Sequence, residues 1–322
     1  MKAIRSSARI CGKIHMAERA HIAQGCVVRS EDEAVRIGAD SALLENSVLI
    51  GTKNHPADIG AKTIFGHKCL ILGASIGNLC EIGNGTIFLP GAKVGDRCIT
   101  GEGTLIPANA VIPEGSVVVG RPGRVLRKLT KDDEDMIRRM RGGDTSLPEQ
   151  MEYTAYESKG ETMGTLYEYR GIRPTVADTA VLYDTAEVTG DVIIGENTVI
   201  AAGVRIIGNS HGPVRIGNNV QILENCVLHL LPDNKLIIED GVTIGPGCII
   251  HGTKIGENTI IEAGCTVCDD SQIEENCRIA AGSLVKQRDH IEAGKTAEGF
   301  PAKVTGENSD TARPDWAIRE NA

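Results

Sequence analysis

Aliphatic side chains return every sixth residue along most of this chain. From Ile238 the pattern reads I-E-D-G-V-T, I-G-P-G-C-I, I-H-G-T-K. It resumes at Ile255 with I-G-E-N-T-I, I-E-A-G-C-T, V-C-D-D-S-Q, I-E-E-N-C-R and I-A-A-G-S-L. The N-terminal half repeats the same rhythm from 16 to 118, as in I-A-Q-G-C-V at Ile22, I-G-A-D-S-A at Ile37 and I-G-N-G-T-I at Ile82. A period of six is too long for strand alternation alone and does not fit a helix of 3.6 residues per turn. It fits a short strand followed by a tight turn, repeated as the chain winds. The aliphatic residue points inward, and so does the small residue four places later, where the corner leaves little room. Gly, Asn and Asp before that small residue supply the turn conformations.

This is the signature of a parallel β-helix built from hexapeptide repeats. The pattern predicts a mainly β protein with two such helices, over 1–128 and 176–305. The stretch 129–142, L-T-K-D-D-E-D-M-I-R-R-M-R-G, predicts a short α-helix packed on the outside. Thr130 is its N-cap, acids fill its first turn and arginines its last. Residues 143–175 are polar and unrepetitive and read as a linker, with a strand around 167–169. Residues 306–322 read as a loose tail. The two halves align without a gap, 35–125 on 214–304, matching Ile37 with Ile216, Glu45 with Glu224, Cys69 with Cys248 and Cys98 with Cys277. One extra residue near Gly208 brings the preceding coils into line. The alignment reads as duplication and divergence.

Composition fits a narrow, regular interior. Aromatic residues are only 3% of the 322, against 41% hydrophobic residues overall and 38 glycines, so Ile, Val, Leu, Ala and Cys must fill the core. Eight of the ten cysteines, Cys26, Cys69, Cys80, Cys98, Cys226, Cys248, Cys265 and Cys277, fall at the small inward position and read as buried apolar residues. Only Cys11 and Cys268 fall elsewhere. Free thiols in a core favour a reducing compartment. The net charge of −9 argues against nucleic acid as a partner. With no apolar run of membrane-spanning length and no signal-peptide pattern, a soluble, cytoplasmic protein acting on a small molecule is expected.

Several segments resemble the γ-class carbonic anhydrase family. F-G-H-K-C-L-I-L-G-A-S-I-G at Phe65 and I-G-P-G-C-I-I-H-G-T-K-I-G at Ile244 are similar to that family's I-G-H-x-x-x-x-H-G-x-x-I-G block. V-G-R-P-G-R-V-L-R-K-L at Val119 and G-F-P-A-K-V at Gly299 resemble its G-x-P-A-K-V-x-R-x-L exit. The resemblance covers both repeats and leaves out the linker and tail. It implies left-handed helices of triangular cross-section, assembled as a homotrimer or a trimer-based oligomer. It also implies one divalent metal, zinc or another such as iron or cobalt, held by three histidines at a subunit interface. One subunit gives the first and third histidines and its neighbour the middle one. Three neutral imidazoles leave a fourth position for water, whose pKa the metal lowers towards neutrality.

The residues depart from this pattern in an ordered way. The first, middle and third positions are Ile50, His67 and Leu72 in the first half and His229, Pro246 and His251 in the second. Together the halves make one full set, His229 and His251 from one domain and His67 from another. Three positions of a ring cannot alternate between two domain types, so the full set requires a mixed ring or another pairing. The family's Arg and Asp before the next coil are matched by Arg29 and Glu31, against Ile207 and Asn209 in the second half. Its Gln is replaced by Leu44 and Leu223. The neighbouring acids, Glu45 and Glu224, are candidates to handle the proton or to pair with cations at an interface. His55 and His211 fall in loops near coil exits, and His15, His21 and His290 at outward positions.

Three functions follow from this reading. The first is a metal-dependent lyase or hydrolase activating water against CO2 or a thioester, with His67, His229 and His251 as ligands. The second is an acyl-CoA-dependent acyltransferase using His67 alone as base. The third is a non-catalytic trimeric scaffold with decayed sites.

Overall fold

The computed structural model describes residues 3–160, 164–208 and 212–319. The chain divides into two compact units, Met1–Gly160 and Glu161–Ala322, each a left-handed parallel β-helix.

In the second unit three sheets form three faces, and each strand pairs with the strand one coil later. Val181 stacks on Val199, then on Gln221, Thr243, Ile260 and Arg278, all in parallel. A parallel partner one coil away lets strands of two or three residues satisfy their backbone groups without a hairpin. The residue after each position from Val199 onward, Ile200, Ile222, Ile244, Ile261 and Ile279, points into the core and is fully buried. Cys226, Cys248 and Cys265 stack at one corner, also fully buried. The corners are tight. At Gly203, where φ is +78°, a Cβ would lie 1.9 Å from Oδ1 of Asn225 on the next coil, so only glycine fits there.

The first unit is wound the same way, with two faces merged through the long strand Val27–Ile37. That strand turns the corner at Asp32 and Glu33, both in the left-handed region at φ 52° and 58°. The strand Arg9–Ala17 lies parallel to it. The helix Lys131–Met140 starts at Thr130, whose side chain accepts from the backbone of Asp133 in a capping box. Its buried residue is Ile137. Past its end, the Arg141 guanidinium donates to the Lys62 and Cys80 carbonyls and pairs with Glu81, fastening the segment to the coil edge. Among the described residues, no helix is long and apolar enough to cross a membrane.

Two segments differ from their reading as linker and loose tail. Residues Tyr153–Ser158 form an antiparallel edge strand on Arg9–Ala17. Tyr156 packs on the main core, while Met151 and Tyr153 pack on the alanines Ala17, Ala39 and Ala61 of one corner. A few anchors in a polar stretch suffice, because backbone pairing to an open edge does the rest. The second helix also begins earlier than 176, at Thr165–Tyr167, which pairs in parallel with Glu187–Gly190. In the tail, Trp316, Ala317 and Ile318 are buried. The Gln221 side chain, itself buried, donates to the Ile318 carbonyl at 2.7 Å and accepts its N–H at 2.9 Å. We expect Gln221→Ala to leave both backbone groups unpaired, to cost about 1–3 kcal/mol and to open the tail to protease. A tail as resistant to limited proteolysis as in the wild type would contradict this docking.

The cysteines form no disulfides, and all but Cys11 and Cys268 are buried. Burial pushes the thiol of Cys26 up to about 11 and that of Cys69 up to about 12. Burial likewise raises Cys248 and Cys265 well above the ordinary value. The thiolate is the reactive form. Access to the sulfur decides the rest: Cys98 is pulled down by its contact with Cys80 but is fully buried, so a thiol reagent at pH 8 should modify the partly exposed Cys11 and Cys268 in the native protein and the remainder only after unfolding. Prompt reaction of more than two thiols in native protein would refute the packing described.

Candidate metal centre

His229 and His251 each follow an inward aliphatic residue at the end of a two-residue strand, Val227–Leu228 and Ile249–Ile250. Those strands pair in register, Val227 on Ile249 and Leu228 on Ile250, so the histidines occupy one corner on successive coils. The backbone continues the ladder through them: the His229 N–H donates to the Ile250 carbonyl at 3.0 Å and the His251 N–H to the Val267 carbonyl at 2.8 Å. Both rings therefore turn outward, and their centroids lie 5.6 Å apart at an interplanar angle of 82°.

The next coil places Asp269 beside them. Its Oδ2 lies 3.1 Å from Nδ1 of His251. Its Oδ1 accepts from the Gly252 N–H at 3.1 Å, the Leu231 N–H at 3.2 Å and the Asn234 amide at 3.3 Å. The Asp269 side chain is 10% exposed and that of His251 33%. A carboxylate oxygen accepts, so this contact suits a His251 tautomer with its proton on Nδ1 and the Nε2 lone pair turned to a ligand. A Cβ at Gly252 would lie 2.4 Å from Asn234 Nδ2, so a side chain there would displace the Asn234 amide from its present place.

The other residues singled out from the sequence fall elsewhere. Pro246 stands five residues before His251, in the turn that precedes the strand Ile249–Ile250, and its side chain offers no donor atom to a metal. Glu224 is likewise five residues before His229, and is buried at 2% exposure. In the first unit, His67 and Glu45 share one corner, with His67 Nδ1 2.9 Å from Glu45 Oε2, and both side chains are about half exposed. The counterparts of the histidine pair there, Ile50 and Leu72, are buried apolar residues. Arg29 and Glu31 form a buried ion pair at 3.0 Å. His15 and His290 pair with Glu33 and Glu274 at the surface. Asn209 and His211 lie outside the described residues. Among the described residues, no group of three or more His, Cys, Asp or Glu side chains is arranged to hold a metal ion within one chain.

The model of the bacterial transferase hexapeptide (six repeats) matches residues 235–269 and 252–287. A carbonic anhydrase from Geobacillus kaustophilus is 44% identical over 142 residues, covering 44% of this chain and 78% of that protein. The chain belongs to the γ-class carbonic anhydrase-like family. Gamma carbonic anhydrase 1, mitochondrial, from Arabidopsis thaliana is 31% identical over 133 residues, 39% of this chain and 48% of that one. Among solved structures, a hexapeptide transferase family protein from Anaplasma phagocytophilum is 33% identical. That match covers 44% of this chain and 84% of the other, with a TM-score of 0.43.

In this γ-class carbonic anhydrase-like chain, the reading of the sequence passed over Asp269 and Asn234. A signal for both was present in the alignment of the halves. Asp269 aligns with Pro90 and Asn234 with His55, so the acid and amide stand only in the half that carries the histidine pair.

Proposed function

We propose that this protein is a metal-dependent lyase or hydrolase whose second β-helix binds a divalent metal through His229 and His251. Zinc is the ion best suited to imidazole ligands, with iron or cobalt as alternatives. The observation that carries the proposal is the outward-facing pair of imidazoles, 5.6 Å apart, with the Asp269 carboxylate on Nδ1 of one of them. The donor set fits such an ion: two neutral nitrogen donors on adjacent rungs, one with its tautomer fixed by an outer carboxylate. Two imidazoles are half of a tetrahedral shell. We assign a third position to His67 presented by a neighbouring subunit of a trimer-based oligomer. When bound, the metal supplies the Lewis acidity that ionises water near neutral pH. The residues of this chain hold the ion, and Glu224 and Glu45 are the groups proposed to carry the proton away. The substrate class is a small electrophilic carbon, CO2 or a thioester.

The test is metal content by elemental mass spectrometry on anaerobically purified wild type, His67→Ala and His229→Ala. Near-stoichiometric metal that falls in both variants is the expected result. Loss with His229→Ala alone would remove His67 from the site, and a wild type without metal would sink the metalloenzyme.

One observation favours a second reading. His67 Nδ1 is held by Glu45, which leaves Nε2 as a possible general base for acyl transfer from an acyl-CoA without metal. Turnover of acyl-CoA in the presence of chelator, lost in His67→Ala, would select that reading.

A further inference from the structure

We propose that Asp269 is the positioning residue for both metal-binding imidazoles, a clasp that orients the ring of His251 and ties down the loop leaving His229. This rests on the metal reading above. One carboxylate divides its two oxygens between the ring and the backbone. Oδ2 faces Nδ1 of His251 at 3.1 Å, while Oδ1 gathers three donors: the N–H of Gly252, the N–H of Leu231 and the side-chain amide of Asn234. Gly252 follows His251 directly, and Leu231 lies two residues beyond His229. The same group therefore fixes the chain just past each ligand as well as one ring.

The loop is closed from its far side too. Asn234 Nδ2 also donates to the Gly252 carbonyl at 2.9 Å, and its Oδ1 accepts the Lys235 N–H at 2.7 Å. In this clasp the Asp269 oxygen accepts from a proton on Nδ1 of His251, which aims the Nε2 lone pair outward. An outer carboxylate of this kind fixes ring orientation and raises the basicity of the ligand.

The first unit supplies an internal comparison. At the aligned positions it carries Ile50 and Leu72 for the histidines, Pro90 for the aspartate and His55 for the asparagine. Proline offers neither charge nor acceptor side chain. The clasp and the ligands are present together in one half and absent together in the other, which a purely structural turn would not require, since both halves complete the same coil.

Asp269→Asn separates orientation from packing. The asparagine keeps the shape and one acceptor oxygen for the backbone donors, but presents an NH2 to Nδ1 of His251. That donor favours the tautomer with the proton on Nε2, which cannot bind metal without losing it. Two readouts test this. The first is the 15N chemical-shift pattern of the His251 ring in metal-free protein, assigned with His251→Gln. We expect the proton on Nδ1 in the wild type and on Nε2 in Asp269→Asn. The second is zinc affinity by competition with a chromophoric chelator, expected to fall about 10- to 100-fold in Asp269→Asn. A wild-type His251 protonated on Nε2 overturns the proposal without any variant. Wild-type zinc binding matched by Asp269→Asn overturns it while leaving the metal site standing. A wild type that binds no zinc overturns the metal reading, and this proposal with it.

Discussion

His251→Ala is expected to lose zinc affinity by more than the roughly 10- to 100-fold that removal of an outer partner costs, with the apo protein folded as before. The imidazole is one of two nitrogen donors on this corner, and alanine offers none. Its side chain also sits outside the coil, 33% exposed. The core at this point is made by Ile250, and the ladder by the His251 backbone N–H, both of which survive the substitution. The fold should therefore feel little. Far-UV circular dichroism and the denaturation midpoint of the metal-free variant should match wild type within about 1 kcal/mol, as for surface changes in general. The variant takes the His251 donor from Oδ2 of Asp269, while the three donors on Oδ1 remain and water entering the vacated, partly exposed space can replace the ring on Oδ2. Affinity equal to wild type in both His229→Ala and His251→Ala would show that the metal, if any, is bound elsewhere.

The largest expected effect on stability is in the first unit, at Phe88. The chain has three phenylalanines. Phe300 is 64% exposed, while Phe65 and Phe88 are buried and meet edge to face, with centroids 6.3 Å apart at 77°. The other buried members of this unit's main core are aliphatic side chains, Met16 and cysteines, all smaller than a phenyl ring or unbranched, so the two rings account for much of its volume. Strands on the coils above and below, Leu70–Leu72 and Leu105–Ile106, hold Ile87–Phe88 in register. The walls cannot collapse into a cavity without breaking those ladders. Phe88→Ala should cost about 3–5 kcal/mol and Phe88→Leu markedly less, read from denaturant midpoints followed by circular dichroism. A cost below about 1 kcal/mol for the alanine variant would mean that the coil can relax, contrary to the rigid winding described.

The spacing of aliphatic residues was enough to read the β-helices, because the hexapeptide rule is local. Each inward Ile or Val, each small corner residue and each left-handed turn residue is specified within six positions, and the next coil repeats the instruction. The eight corner cysteines were legible as core for the same reason, and all eight are buried. His229 and His251 could be lined up on one corner by counting along the repeat. The acid between coils could not be assigned that way. Asp269 touches Leu231, Asn234, Gly252 and His251 only because the loop after His229 folds back over the corner, and no periodic rule describes that loop.

The edge strand Tyr153–Ser158 and the docked tail escaped the sequence for a related reason. Both are polar, unrepetitive segments held by a few anchors: Tyr156 against the main core, and Gln221 clasping the Ile318 backbone. Whether such a segment is ordered depends on an open sheet edge or a buried amide supplied by residues far away in sequence. Winding, core and the corner of the histidine pair thus follow from local periodicity in the sequence alone. Which polar groups meet across coils was decided by the tertiary structure, because hydrogen bonds between loops depend on where the chain returns and not on what lies six residues away.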